Sequence, residues 1–350
     1  MSLDEKIEKV KSVIKNKKII VAFSGGADST LIAYLSKKVS KDTVAITIDN
    51  GLMPSNFLKD SSKIAKEIGI EQITISQNYL ENKKFKENSS KRCFICRNLM
   101  YSKIKEIAIE KGYDAIIDGT NISDLLEDRP GIMVNYENNI LSPLVIAGIE
   151  KNEVIEYLHN NNINYLKSTS CLATRIKNNT TLTSKKLNRI KYGENLLKSI
   201  TKSDIVRIRD YNDNAHIEID NIESLLNKNT LNLIVSELKS IGFKNVYLNI
   251  ESKFSKQQDI VIYKPCKDEA NKIMFENELP YTIDISSTCK ELEKVGTVKC
   301  SDKMGVAMLE IDEKNITLFK NGKIVARKIE DKKDAQETLI KVLPLIRRDI

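Results

Sequence analysis

No run of about eighteen apolar residues occurs in this 350-residue sequence, which excludes a transmembrane helix. The start, Met1-Ser2-Leu3-Asp4-Glu5, is acidic and lacks an apolar stretch, so it does not read as a secretory leader. Ser2 to Glu5 reads instead as a capping box opening a helix. A cytoplasmic protein without membrane contact is the expectation. Histidine is scarce, and neither His159 nor His216 is assigned a catalytic role. Long Lys/Arg blocks, Arg-Gly segments, internal repeats and low-complexity tracts are missing, which speaks against the familiar RNA-binding tails. The net charge of +8 could draw polyphosphate or RNA, but Lys is spread along the whole chain. A solvated lysine-rich surface is the preferred reading of that charge.

What is present suits two or three globular domains, with 41% apolar residues. Over the first 165 or so residues strand and helix patterns alternate. Strands are expected at Lys18 to Phe23, Thr43 to Ile48, Gln72 to Ser76 and Asp114 to Asp118. Helices are expected at Asp28 to Lys38, Ser55 to Ile68 (with Ser55 as N-cap) and Phe94 to Lys111. Continuous apolar strands between helices predict a parallel sheet covered on both faces, with ligands at the carboxyl ends of its strands. The fold class is therefore α/β: a Rossmann-like parallel-sheet domain over 1–167, a small α/β domain over 168–252, and an additional α+β domain over 253–350. The second has a helix at Ser184 to Ile200 and strands at Ile205 to Asp210, Ala215 to Ile219 and Val246 to Ile250. The third begins in the polar stretch 252–258. It holds a hairpin, Ile316 to Lys320 and Lys323 to Lys328, around a type I′ signal at Asn321-Gly322, and a helix over Lys332 to Leu345.

The segment Ser24-Gly25-Gly26-Ala27-Asp28-Ser29 follows a buried strand and opens a helix. Glycines let backbone approach a phosphate, and the helix start supplies free N–H donors and a positive dipole. Ser24 and Ser29 add hydroxyl donors, and Asp28 needs a Mg²⁺ between itself and phosphate. No Gly-Lys-Ser/Thr follows, so this is not a Walker A loop. An ordinary glycine-rich turn is the weaker reading. The segment resembles the signature of the PP-loop ATP pyrophosphatases. That resemblance implies that the loop cradles pyrophosphate, that adenine meets backbone near Ile48, and that a substrate oxygen is adenylated.

Further segments follow in order: Cys93-Phe94-Ile95-Cys96, Asp118-Gly119-Thr120-Asn121, Asp128-Arg129-Pro130-Gly131, Ser142-Pro143-Leu144, Cys171-Leu172-Ala173-Thr174-Arg175, Val206-Arg207-Ile208-Arg209 and Ala215-His216-Ile217-Glu218. Together they resemble the LarE family of ATP-dependent sulfur transferases, over about residues 1 to 250. The resemblance implies adenylation of a carboxylate on a pyridinium dicarboxylate mononucleotide, the nickel-pincer cofactor precursor. Sulfur then displaces AMP and leaves a thiocarboxylate. It also implies a homo-oligomer, Arg207 and Arg209 on the substrate phosphate, and Glu194 and Glu218 near the sulfur donor, on a divalent ion. Without it, Glu194 reads only as a helix-surface residue. Thr174 keeps a hydroxyl where the family has Ser. Arg175 is expected on a phosphate or the adenylate. Asp118, Gly119, Asn121, Asp124 and Arg129 follow the fourth strand, where a nucleotide site and plain loop capping are both open readings.

The cysteines depart from the family's one-cysteine pattern. Cys93, Cys96 and Cys171 are three thiols with no obvious fourth, where structural zinc wants four ligands and a [4Fe-4S] cluster can leave one iron open. Subgroup members with this trio resemble cluster-dependent donors, so a [4Fe-4S] cluster carrying transferable sulfide, fed by a sulfide donor, is expected. A redox dithiol, a zinc half-site and a sacrificial Cys171 stay open. Lys91, Arg92, Arg97 and the helix start are expected to lower the thiol pKa values. Cys266, Cys289 and Cys300 are read as isolated buried thiols, with a second metal site or sulfur relay as the lesser reading. The rivals are a [4Fe-4S]-dependent tRNA thiolase and a non-catalytic nucleotide-binding iron–sulfur carrier.

Overall fold

A computed structural model describes residues 1–127, 129–167, 169–203, 205–250, 261–263 and 273–349. Asp128, Ser168, the stretch 252–258 and Cys266 lie outside the described residues.

Strand burial divides the first sheet between two cores. In β1 (Lys18–Ala22) and β2 (Asp42–Asp49), Ile20, Val44 and Ile46 enter one hydrophobic cluster, while Ile19, Val21 and Ala45 enter another. Alternate side chains leave a strand on opposite faces, so both faces must be covered. The helices Leu3–Ile14, Ala27–Val39 and Lys151–Asn160 cover one face with Val10, Leu31 and Leu158. The helix Arg92–Lys111 covers the other with Tyr101, Ile104 and Ala108. With β3 (Glu71–Ser76) and β4 (Ala115–Ile117) the sheet runs β3-β2-β1-β4, all parallel. The expected parallel α/β domain is present. One local expectation fails: the helix Phe57–Glu67 starts after Asn56, with no side-chain cap from Ser55.

Three further strands, β5 (Val206–Tyr211), β6 (Asn214–Ile219) and β7 (Val246–Leu248), form a mixed sheet under the helices Ser184–Thr201 and Lys228–Ser240. Gly193 permits that close packing, since a Cβ there would stand 2.5 Å from Ile208 and 2.8 Å from Leu238. The cluster beneath it is continuous with one face of the parallel sheet.

The remaining strands are β8 (Val261–Tyr263), β9 (Ile273–Glu278), β10 (Thr297–Ser301), β11 (Val306–Ile311), β12 (Lys314–Phe319) and β13 (Lys323–Ile329). They form an antiparallel sheet, β10-β11-β12-β13-β9-β8, packed on the helices Ile285–Leu292 and Lys332–Val342. The hairpin at Asn321-Gly322 exists, but only Gly322 has positive φ (93°), so a three-residue connection replaces the type I′ turn. Cys289 and Cys300 are joined in a disulfide, which corrects their reading as isolated thiols. They meet because the helix end and the antiparallel edge strand pack side by side, a contact without a spacing signature. This unit's core also takes in Ile122, Leu125 and Ile132 from the short helical segments after β4 of the first.

Among the described residues, no helix is long and apolar enough to cross a membrane.

Candidate active site

β1 ends at Ala22, and the chain turns through Ser24-Gly25-Gly26 into the helix Ala27–Val39. Gly25 sits at φ +75° with its carbonyl accepting from Leu166 N at 2.7 Å, and a Cβ would press on Leu166 and on Ser61 backbone. The first helical N–H groups of this turn have no intrahelical acceptor, and Gly26, Asp28 and Ser29 line a cavity. Ser29 Oγ donates to Gly26 O at 3.1 Å and lies 3.1 Å from Ser24 Oγ, so the two hydroxyls brace the loop. Gly119, at the end of β4, approaches the same turn so closely that a Cβ would stand 2.6 Å from the Asp28 carbonyl carbon.

Asp28 points to Asn121, whose amide donates to it at 2.8 Å. Burial, and then the neighbouring Asp124, push the Asp28 carboxyl up to about 6. Asp124 is raised as well, first by burial, while Arg129 at 2.7 Å pulls the other way. Asp118 behaves oppositely. Burial alone would raise it, but Arg97 and donors from Thr120, Asn135 and Ser142 hold it below the usual range. An acid paired with an arginine, Asp118, and one with no cation partner among the described residues, Asp28 of the phosphate loop, therefore stand in the same site.

The loop opens onto a cavity of about 420 Å³. Ser24, Gly26, Asp28, Ser29, Ile48, Gly119 and Arg129 line it. Cys93, Cys96 and Cys171 line the same cavity, as do Arg92 and Arg97. Met53, Met100 and the edge-to-face pair Tyr79–Phe85 complete an apolar wall that the motifs do not announce. Cys171 reaches the cavity because Leu172 N donates to Leu52 O at 2.7 Å, tying its segment to the loop after β2. A wider groove of about 660 Å³ along residues 152–165 includes His159, but no cysteine, lysine or arginine lines it.

The expectation of acidic thiols fails for two of the three. Burial, then Cys171 and Cys93, push the Cys96 thiol up to about 12 against the pull of Arg92 and Arg97. Cys171 is likewise raised, first by burial. Among the described residues no three His, Cys, Asp or Glu side chains form a ready metal cage. The three thiols and the cations Arg92 and Arg97 line the same cavity, a donor set of the type a thiolate-ligated cluster uses once its cysteines are deprotonated.

Glu194 is not on the surface: it is 4% exposed and accepts from Arg175 Nε at 2.8 Å and Ile208 N at 3.0 Å. Arg175 is equally buried and also donates to Ser170 and Thr174 hydroxyls. Glu218 takes a two-pronged pair from Arg209, at 2.5 and 3.0 Å. Both glutamates are thus occupied by arginines. Arg207 shares a face with Arg209; burial, then Arg175 and Arg209, lower its pKa. Beside this face His216 stacks on Tyr247 and meets Tyr211 edge-on, as a packed aromatic group.

Residues 1–130 match the family model described as a PP-loop domain. The chain is 32% identical over 243 residues to "Uncharacterized protein MJ0830" of Methanocaldococcus jannaschii, covering 69% of this chain and 93% of that one. It is 28% identical over 241 residues to the pyridinium-3,5-bisthiocarboxylic acid mononucleotide synthase of Lactiplantibacillus plantarum, covering 67% and 86%. The glutamine-hydrolyzing GMP synthase of Thermotoga petrophila matches at 28% over 129 residues, 36% of this chain and 26% of that protein.

Proposed function

From the premise that this chain belongs to the LarE family of PP-loop, ATP-dependent sulfur transferases, we propose that it adenylates a carboxylate of a pyridinium dicarboxylate mononucleotide and replaces the activated oxygen with sulfur. The observation carrying this reading is that the phosphate loop and Cys93, Cys96 and Cys171 line one cavity of about 420 Å³. Activation and sulfur transfer then share one chamber, and the reactive acyl adenylate need not cross bulk water.

In the first step a carboxylate oxygen bonds to the α-phosphorus of ATP while the bond to the bridging α–β oxygen breaks. Pyrophosphate departs with that oxygen. The free N–H groups after Gly26, with Ser24 and Ser29, hold the leaving pyrophosphate. Asp28 holds a Mg²⁺ against it, and Arg129, beside Asn121 and Gly119, faces the same charge. Ile48 offers backbone to adenine at the end of β2. Arg207 grips the substrate phosphate, and Arg209, steadied by Glu218, flanks it. In the second step sulfur bonds to the acyl carbon and the carbon–oxygen bond to AMP breaks, giving thiocarboxylate and AMP. Cys93, Cys96 and Cys171 would hold a [4Fe-4S] cluster that supplies the transferable sulfide, replenished by an external sulfide donor. Arg92 and Arg97 neutralise the anionic thiolates. Arg175, locked by Glu194, fixes the segment carrying Cys171.

The test is pyrophosphate release from ATP by anaerobically reconstituted protein, with the mononucleotide and bulk tRNA offered separately. Release with the mononucleotide, lost in Asp28→Ala, supports the reading. Release with tRNA alone replaces it by RNA thiolation, and ATP binding without release replaces it by a carrier. Iron and labile sulfide unchanged in Cys171→Ala would remove the three-cysteine cluster.

A further inference from the structure

The helix Ile122–Leu126 has only five residues, and both of its ends are held from far away in sequence. At its start Asn121 caps the first turn, accepting from Asp124 N at 3.2 Å, and its amide reaches Asp28 of the phosphate loop at 2.8 Å. At its end Glu127 N donates to Asp124 O at 3.3 Å, and the other last carbonyls need donors from outside the helix. Arg348 supplies donors: Nη1 to Glu127 O at 2.9 Å, and Nη2 to Leu125 O at 3.2 Å and Asp124 O at 3.4 Å. A cation at a helix C-terminus is favourable on dipole grounds as well.

Arg348 is itself immobilised. It is 6% exposed, and its guanidinium stacks 3.7 Å from the centre of the Tyr281 ring. The Tyr281 hydroxyl donates to Leu125 O at 2.7 Å, so a second group from the same unit holds the same turn. Leu125 and Ile122 are buried in that unit's core. The contact is therefore built into the fold, with planar donor, aromatic backing and apolar seat.

Consequences run toward the cavity. Asp124 and Arg129 line it and pair at 2.7 Å, and Arg129 follows directly on the capped turn. Moving that turn moves Asp124, Arg129 and the Asn121 amide on Asp28 together. We propose that Arg348 is a positioning residue for the nucleotide, and that through it the C-terminal unit sets the affinity of the phosphate loop for Mg-ATP. This rests on the reading that the cavity takes ATP.

The test uses the full chain with Mg-ATP as the probe, measuring Kd by calorimetry and KM and kcat by pyrophosphate release. Arg348→Met keeps the stem and removes the donors; it is expected to raise Kd and KM about tenfold while kcat stays within about threefold. Arg348→Lys, with a compact head that serves fewer carbonyls, is expected to fall between. A residue of purely structural importance would lower the unfolding temperature and leave the Kd of the folded fraction unchanged. Folded Arg348→Met with wild-type Kd and KM overturns the proposal. Should Arg348→Met not fold, Tyr281→Phe, which deletes one bond to the same turn, is expected to raise Kd about two- to threefold, and an unchanged Kd overturns it equally. Wild-type protein that binds no ATP overturns the functional reading itself, so the two failures are distinct.

Discussion

Replacing Asp28 by Asn separates what the phosphate loop needs for chemistry from what it needs to fold. The Asp28 carboxyl is pushed from the usual 3.8 up to about 6, first by burial and then by Asp124. A raised carboxyl favours the neutral form in the folded state. Its stabilising contribution is fully present below pH 3.8 and is lost as pH climbs through about 6, leaving the charged form at a cost above that. At about 1.4 kcal/mol per tenfold change in proton affinity, that cost is at most about 3 kcal/mol at pH 7.5. Partial solvation of the side chain brings the expected value to about 1–3 kcal/mol. Asn at this position keeps the shape and still accepts from the Asn121 amide. Ligand-free Asp28→Asn is therefore expected to be more stable than wild type by about that amount at pH 7.5, and to converge with it toward pH 4. Urea unfolding at several pH values measures the difference directly. Turnover of Mg-ATP should fall in the same variant, since the carboxylate that costs stability is the one to which the proposed mechanism assigns the cation. An Asp28→Asn protein equal to or less stable than wild type at pH 7.5 would refute the electrostatic account of this loop.

Removing one partner of the buried Arg175–Glu194 pair should cost about 3–5 kcal/mol, because a nearly fully buried cation loses its counter-charge. Glu194→Gln checks this by denaturant unfolding, and the double variant Arg175→Met/Glu194→Leu is expected to recover most of the loss. Gly119→Ala should reduce pyrophosphate release at least a hundredfold, since its Cβ would overlap the backbone at Asp28 and Ser29. In metal-free protein under mild alkylation at pH 8, exposed Cys93 should react well before Cys96 and Cys171, which burial holds as thiols. Peptide mass spectrometry at timed intervals reads the order.

The parallel sheet was legible because burial on two faces leaves a strong mark. Ile19, Ile20 and Val21 are all apolar, and only a strand covered on both sides requires that. Ser24 to Ser29 was legible because strand, glycines and helix start occur in one order. Cys93 and Cys96 announced themselves by spacing, and Cys171 by its company. What stayed hidden depends on partners remote in sequence. Glu194 looks like any solvated helix residue until Arg175 and the Ile208 N–H close on it. The acidity expected of the thiols followed from nearby arginines and the helix start, but burial outweighs both, and burial is a tertiary property. The Cys289–Cys300 bond and the aromatic seat of Arg348 likewise arise only when the C-terminal sheet folds. Ser55 and the Asn321-Gly322 turn show smaller limits, since a cap or turn residue names a tendency that packing can shift by one position.

The clamp between Arg348 and Glu127 also has a consequence in time. The two residues are 221 positions apart. At ribosomal speeds of about 5–20 residues per second, roughly 10–40 s pass between synthesis of the one and the other. During that interval the parallel sheet can already form from local strand–helix units, yet the turn after Asn121 lacks the donors that Arg348 and Tyr281 bring to its end. A nascent chain would hold ATP weakly and begin to bind it fully only once residue 348 has emerged and docked. On the roughly tenfold affinity change expected for Arg348, adenylation would be weakened in a partial translation product and reach full strength only in the finished chain.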